Sequence, residues 1–153
     1  MKIILKFIFF FFLFTNICNA DLIKPNINLK PFDVLMIQLN SLKNNNSPYK
    51  DVGIEQVWKF AHPNNKKITG PLEKFKKMIY RESYKMLIEH ENSEITILSE
   101  NLNSSTYKVF ILSSDKKKYS YIWQIEKVNQ EGDLKNCWMT TSVSGPKYLG
   151  EVI

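Results

Sequence analysis

The residues best suited to chemistry are few in this chain. The sequence contains two histidines, His62 and His90, and two cysteines, Cys18 and Cys137. Their wide separation does not match the ligand spacing of a zinc site. The sequence has neither a phosphate-binding glycine loop nor a G-x-S-x-G nucleophile elbow. Cys137 could pair with a distant histidine, but it adjoins a predicted strand, where a buried thiol is usually inert.

The two histidines have different sequence contexts. His62 lies in the segment Phe60-Ala61-His62-Pro63-Asn64-Asn65-Lys66-Lys67-Ile68-Thr69-Gly70-Pro71, called the joint below. Pro63 disfavours helical geometry at His62, so a helix should end there. We expect His62 to make a structural hydrogen bond within the joint. His90 lies between two glutamates and is predicted to be exposed.

The joint also combines a glycine with a proline. Gly70 is predicted to adopt a positive φ, and Pro71 to fix the start of the next helix. Both roles are architectural, and we expect them in place of direct ligand contact.

Three helices are predicted before the sheet. Pro31 suits the first turn of the first helix, and Asp51 is predicted to cap the second. The third should begin at Pro71. Apolar positions at helical spacing are Phe32, Leu35, Met36, Leu39 and Leu42, then Ile54, Val57, Trp58 and Ala61, then Leu72, Phe75, Met78 and Ile79. Helical periodicity of this kind indicates helices that bury one face.

From Glu94 onward the apolar period is two, which predicts strands. Four runs are rich in β-branched and aromatic residues, at 95–97, 106–112, 119–128 and 138–143. Residues 86–88 fit either the end of a helix or the start of a strand. Short polar turns between the runs suit antiparallel neighbours. The expected fold class is therefore α+β, with three N-terminal helices packed on a curved antiparallel sheet of about four strands.

The N-terminus has the pattern of a signal peptide. A basic start precedes the apolar run Phe7–Phe14, and Cys18 and Ala20 occupy the small-residue positions of a signal-peptidase site. We predict a signal peptide at 1–20, an extended arm at 21–30 and a single domain at 31–153. The run is shorter than a membrane-spanning helix needs, although retention as an anchor stays open. The expected location is periplasmic or secreted.

The charge of the chain bears on nucleic-acid binding, and its cysteine content bears on disulfide formation. The chain has 21 basic and 15 acidic side chains, and removal of Lys2 and Lys6 with the signal peptide would leave 19 against 15. Arg81 is the sole arginine, so no arginine cluster predicts nucleic-acid binding. Cys137 would be the one remaining cysteine. Stability should then come from packing without an internal disulfide, with Cys137 buried as a small apolar residue.

Several short segments resemble a known family. They are Gln38-Leu39 with Leu42-Lys43, Asp51-Val52-Gly53-Ile54, Phe60-Ala61-His62-Pro63-Asn64-Asn65, Thr69-Gly70-Pro71 and Cys137-Trp138-Met139-Thr140. Together they resemble the bacterial family known as domain of unknown function 4864. That family is similar to the nuclear-transport-factor-two-like cone, in which helices close over a bent antiparallel sheet and leave a cavity. The resemblance implies a cone-shaped α+β barrel but no activity, because none is assigned to the family.

A cavity of this kind is where a small ligand would bind. The candidate lining residues are Trp58, His62, Tyr84, Tyr107, Tyr121, Trp123 and Trp138. The alternative is that these rings fill the core. In similar cones, enzymes need a carboxylate or histidine base facing a proton donor. Tyr121 and Trp123 share a predicted strand face that carries no acid, because Glu126 lies on the opposite face, and this leaves His62 with Tyr84.

Three functional hypotheses follow. The first is an exported, non-enzymatic module that binds a small apolar or amphipathic ligand or serves in assembly, without a cofactor or metal. The second is an enzyme of the cone-fold isomerase or dehydratase type that uses a cavity histidine or tyrosine for proton transfer. The third is a homodimer formed through an exposed sheet face. Neither nucleic-acid binding nor stable membrane insertion after signal cleavage is expected.

Overall fold

The computed structural model describes residues 21–152, so the predicted signal peptide lies outside the described residues. The described chain has four α-helices, one 3-10 turn and five β-strands. The helices are α1 (Pro31–Lys43), α2 (Val52–Lys59), α3 (Pro63–Thr69) and α4 (Leu72–Ile79), and the 3-10 turn is Lys85–Leu87. The strands are β1 (Asn92–Glu100), β2 (Ser104–Leu112), β3 (Lys117–Lys127), β4 (Trp138–Val143) and β5 (Lys147–Glu151).

The strands form one antiparallel sheet in the order β1-β2-β3-β4, and β5 also pairs with β3. Helices precede strands and cover the sheet, which confirms the α+β plan. The sheet is open, and among the described strands β1 does not pair with β4 to close a barrel.

Two elements exceed the predicted three helices and four strands. Helix α3 lies inside the joint and has no buried residue, so it lacks the apolar stripe that reveals a helix. His62 caps this helix and Pro63 occupies its first turn. Strand β5 is short and mostly exposed, and it contains Gly150 at a φ of 123°. Its pairing with the start of β3 could not be read from its own composition.

Helices α1 and α2 meet with their backbones in close contact. A Cβ added at Gly53 would lie 2.0 Å from the Ser41 carbonyl oxygen, so only glycine fits there. Asn45 accepts the hydrogen bonds that a capping side chain would accept at the start of α2. Its backbone oxygen accepts from the Gly53 N–H at 3.1 Å, and its Oδ1 accepts from the Ile54 N–H at 3.0 Å. Asp51 occupies the N-cap position of α2, as predicted, but its side chain makes no capping hydrogen bond, and its Oδ1 instead accepts from the Tyr80 hydroxyl.

The core lies between the helices and the inner face of the sheet. Tyr107 of β2 is directly opposite Trp123 of β3, and Val109 is opposite Tyr121. Alternate residues of β3 face inward, which confirms the predicted strand face. The fully buried large side chains are Trp123, Tyr107, Tyr121, Phe60, Leu35, Leu39, Leu42, Ile54, Leu87, Ile111, Ile125 and Met139.

The joint is fixed to the sheet through β4. The His62 N–H donates to the Thr140 carbonyl oxygen at 2.8 Å, and the Thr140 N–H donates to the Phe60 carbonyl oxygen at 2.8 Å. Ala61 thereby forms a parallel bridge with Thr140. These bonds set the position of α3 relative to the strand, and hence the space between them.

Residues 21–30 contain no helix or strand, and Gln56 holds the segment near its start. The backbone N–H of Ile23 donates to Gln56 Oε1 at 2.7 Å, and Gln56 Nε2 donates back to the Ile23 oxygen at 2.8 Å. Within 21–152, none of the helices combines the length and hydrophobicity required to cross a bilayer.

Candidate functional site

A cavity of about 250 Å³ lies between α1, α2, α3, α4 and β4. Its wall is formed by Gln38, Leu42, Val57, Ala61, Asn65, Ile68, Thr69, Phe75, Met78, Ile79, Tyr84, Leu87, Trp123, Thr140, Thr141, Ser142 and Val143. Ile68 belongs to this wall and is also 74% exposed, so the cavity opens to solvent beside α3. A dry cavity of about 150 Å³ lined by Leu, Ile and Phe admits benzene. The space here is therefore large enough for a larger aromatic group or a longer alkyl group.

The inner wall carries a closed polar network. Gln38 Nε2 donates to Thr140 Oγ1 at 2.8 Å and to the Val34 carbonyl oxygen at 3.1 Å. Thr140 Oγ1 donates to Gln38 Oε1 at 3.0 Å and accepts from Trp123 Nε1 at 3.1 Å. All three side chains are almost fully buried. Because their hydrogen bonds are used within the network, the wall satisfies its buried polar groups without a ligand.

The phenol of Tyr84 is the one ionisable side chain of this wall among the described residues. Its hydroxyl donates to the Val143 carbonyl oxygen at 3.1 Å, and its ring stacks on Tyr121 with centroids 6.5 Å apart. Burial raises the pKa of Tyr84. The hydroxyl is therefore neutral and already donating at physiological pH, which suits a fixed wall better than a proton donor.

Of the candidate residues named from the sequence, the structure places Tyr84 and Trp123 on the cavity wall and the others outside it. Trp58 is half-buried behind the wall, with its ring 5.0 Å from that of Phe75 and Lys66 Nζ 5.4 Å from its centroid. A Cβ at Gly70 would lie 2.8 Å from Cη2 of Trp58. The predicted positive φ at Gly70 is wrong, since φ is −77°. Lack of space, not backbone strain, explains this glycine.

His62 is buried outside the cavity wall and has a capping role. Its Nδ1 accepts from the Asn64 N–H at 3.1 Å, which confirms the predicted structural hydrogen bond in the joint. Burial lowers its pKa, Glu126 opposes that effect, and Lys67 adds to it. The geometry does not place the ring against Tyr84, so the two do not form the acid and base pair considered from the sequence.

The prediction that His90 is exposed is wrong. The side chain is 2% exposed, and its Nδ1 lies 2.8 Å from the carbonyl oxygen of Leu87 in the 3-10 turn. Burial lowers the pKa of this imidazole as well.

The remaining rings fill the core or cover its edge. Tyr107 is fully buried beside Phe32, and its hydroxyl has no hydrogen-bond partner among residues 21–152. The Tyr121 hydroxyl donates to the Ser83 carbonyl oxygen at 3.3 Å, and burial raises the pKa of this phenol. Lys127 Nζ lies 5.1 Å from the ring centroid of Trp138. The core-filling alternative thus holds for most of the predicted aromatic set.

Sequence reasoning missed the two polar residues at the centre of the wall, Gln38 and Thr140. A glutamine within the apolar run of α1 was the available signal, because a buried polar side chain needs a partner. Its partner is 102 residues away in the chain. That distance explains why the pairing could not be recognised without the fold.

Cys137 is buried, as predicted, and burial raises the pKa of its thiol. Among the described residues, no group of three or more His, Cys, Asp and Glu side chains is arranged to hold a metal ion. Comparisons of the chain with protein-family models, with curated proteins and with solved structures find no match. Function is therefore inferred from the geometry of the site.

Proposed function

We propose that this chain is a non-enzymatic binding module whose cavity takes a small apolar or amphipathic ligand. The observation that carries the proposal is the 250 Å³ space beneath α3 and α4, with a mainly apolar wall and an opening at Ile68. Concave apolar sites with a few fixed polar groups are the usual form of small-molecule sites.

The polar network supports the same function. Gln38, Thr140 and Trp123 satisfy one another, so an apolar group can enter without leaving their buried donors unpaired. Removal of apolar ligand surface from water then supplies the binding free energy, at roughly 25 cal/mol per Å².

The second candidate, a proton-transfer enzyme, needs a base that faces the cavity. In the part of the chain that the structure describes, the cavity wall contains no Asp, Glu, His, Lys or Cys side chain. Tyr84, the one titratable residue of the wall, has a raised pKa and a hydroxyl bonded to Val143. This composition favours binding over proton transfer.

The binding proposal is tested by NMR titration of isotope-labelled protein with octan-1-ol, whose chain is apolar and uncharged. We expect saturable shifts in the Trp123 indole N–H and in the methyl groups of Leu87, both of which line the cavity. The Ile79→Phe variant places a larger side chain in the cavity and should require a higher octan-1-ol concentration for saturation. Shifts that do not saturate, or that saturate at the same concentration in Ile79→Phe, would contradict the proposal.

The family, location and oligomer expectations remain proposals. The α+β order of elements and the cavity under the helices support membership of the domain of unknown function 4864 family and its cone-like fold. Export to the periplasm or outside the cell rests on the N-terminal sequence pattern. The homodimer stays a prediction, which sedimentation analysis would test directly.

A further inference from the structure

We infer that helix α3 is a lid on the cavity, which opens locally to let the ligand enter and leave while both ends of the helix stay anchored. This inference rests on the proposed function, because it concerns how the same cavity exchanges its ligand.

The burial of the wall residues carries the first step. Each of the other three helices contributes a core side chain to the wall, namely Leu42 of α1, Val57 of α2 and Phe75 of α4. Helix α3 also contributes to the wall, but none of the residues Pro63–Thr69 is buried. Displacement of α3 therefore removes no side chain of this helix from the core, whereas displacement of any other helix of the wall would expose buried apolar surface.

The polar contacts that hold the body of α3 are few. Among residues 21–152, three side-chain hydrogen bonds join the helix to other parts of the chain: Asn65 Nδ2 to the Thr140 carbonyl oxygen at 3.3 Å, Gln130 Nε2 to Asn64 Oδ1 at 3.3 Å, and Lys74 Nζ to the Ile68 carbonyl oxygen at 2.9 Å. Two of these bonds are longer than is usual for N–H donors. Since the last two lie at the exposed surface, water can replace them, and each stabilises the closed position only slightly.

The two ends of α3 are fixed more firmly than its body. At the start, His62 is buried and its N–H donates to the Thr140 carbonyl oxygen at 2.8 Å. At the other end, Gly70 lies so close to Trp58 that an added Cβ would be 2.8 Å from Cη2 of the ring. The helix between them has seven residues, and helices this short depend on tertiary contacts for their stability. The segment between the two anchors can therefore open locally while the rest of the fold stays in place.

Opening of α3 gives the ligand a path that leaves the core intact. The helix supplies Asn65, Ile68 and Thr69 to the wall, so a ligand in the cavity contacts it only in the closed position. A ligand that binds one form of a protein stabilises that form by mass action. Bound ligand should therefore suppress the opening of α3, and a less firmly held α3 should exchange its ligand faster.

The first test measures amide hydrogen exchange by NMR, under conditions where α3 closes faster than an exposed amide exchanges. The reporters are the N–H groups of Lys66 and Gly70, which donate to the carbonyl oxygens of His62 and Lys66 at 2.9 Å and 2.8 Å. We expect their protection factors to be at least about tenfold lower than those in the buried middle of α1. With free octan-1-ol at about ten times its Kd, their protection should rise about elevenfold. The Asn101 N–H in the β1–β2 turn is the control and should not change.

The second test measures the rates of octan-1-ol binding by NMR line-shape analysis. The variant K74M removes the ammonium that bonds to Ile68 and keeps the aliphatic part of the side chain. Its association and dissociation rates should both increase by about twofold to fivefold, with Kd unchanged, because the closed position is destabilised equally with and without ligand. The matched control is K77M, since Lys77 is exposed on the same helix and its ammonium makes no hydrogen bond within residues 21–152. It should change neither rate.

The outcomes separate this inference from the proposed function. If octan-1-ol binds but α3 is protected as strongly as α1, or its exchange is the same with and without ligand, the lid is wrong and the binding module stands. Rates in K74M that are unchanged, or that change as much as those in K77M, would also overturn the lid, because the contact that closes α3 would not limit ligand exchange. If octan-1-ol does not bind, the proposed function fails and the lid fails with it.

Discussion

The two halves of the helical layer are built differently. Where α1 crosses α2, the backbones touch at Gly53, and the buried N–H groups at the start of α2 are satisfied by Asn45. Where α3 and α4 cover β4, a 250 Å³ space remains. Helix α3 buries no residue, and α4 buries Phe75 and Ile79.

This difference indicates that the two halves have different roles, one in stability and one in binding. Close-packed interiors stabilise a fold through many short contacts, and a void forgoes those contacts. The α1–α2 crossing therefore keeps these short contacts, whereas the α3–α4 end keeps a space that a ligand can fill. Mutations that add atoms should distinguish the two, because the backbone contact at Gly53 has no room for them and the space under α3 and α4 has.

The largest effect is expected at the helix crossing. The Gly53→Ala variant adds a methyl group that would lie 2.0 Å from the Ser41 oxygen and 2.8 Å from the Asn45 Cα. Both neighbours are backbone atoms, so the helices must separate and the Asn45 bonds must lengthen. We expect a loss of about 3 kcal/mol in the free energy of unfolding, measured by urea denaturation.

The matched control is Gly145→Ala. A Cβ there would meet nothing within 4 Å, and this glycine has no positive φ. Its free energy of unfolding should change by less than about 0.5 kcal/mol. Similar losses for both glycine variants would show that the α1–α2 crossing is not specially tight.

The second prediction enlarges one buried aliphatic residue in each region. Leu39 of α1 is 1% exposed in the solid core, whereas Ile79 of α4 borders the cavity. Leu39→Phe should destabilise the protein by about 1–3 kcal/mol through overpacking. Ile79→Phe has space to enter and should cost less than about 1 kcal/mol, or stabilise. Thermal denaturation of both variants gives the comparison, and equal losses would imply that the cavity is not available to a side chain.

The sequence correctly predicted the helices and strands whose apolar residues are regularly spaced. Prediction failed for features that leave no regular apolar spacing. Helix α1 and strands β2, β3 and β4 occur near their predicted positions. Helix α3 did not reveal itself, because a proline start and a histidine cap produce it without an apolar face. Asp51 is the N-cap residue of α2, as its position in the sequence predicted, but the side chain that accepts from the start of the helix is Asn45, after the end of α1.

The candidate site was harder to predict than the fold. Tyr84 and Trp123 were identified because they are large and aromatic, but the same criterion selected Tyr107 and Tyr121, which are core residues. Which aromatic ring borders a space depends on where α4 lies above the sheet. That position follows from long-range contacts, such as the bond of His62 to Thr140, which no local pattern encodes.

The smallest effect is expected at His62. This residue lies between α2 and α3, and so connects the α1–α2 crossing with the α3–α4 end. Burial lowers its pKa from the ordinary value of 6.5, so the folded protein holds the ring neutral while the unfolded chain takes up a proton. Stability is therefore fully present above pH 6.5 and falls as the pH drops below it, until the lowered folded pKa is reached. The slope is at most about 1.4 kcal/mol per pH unit for one proton. Protonation at Nδ1 would also remove the acceptor of the Asn64 N–H.

The variant His62→Asn separates titration from capping. Asparagine is a favourable N-cap residue whose oxygen can accept from the Asn64 N–H, and it does not ionise. Its stability near pH 8 should stay close to that of the parent, while the loss between pH 6.5 and 5 becomes smaller. His90, which is also buried with a lowered pKa, supplies the part that remains. Urea denaturation at several pH values measures both slopes. Identical slopes would mean that His62 is protonated as readily in the folded protein as in the unfolded chain, and its burial would then contribute nothing to the pH dependence.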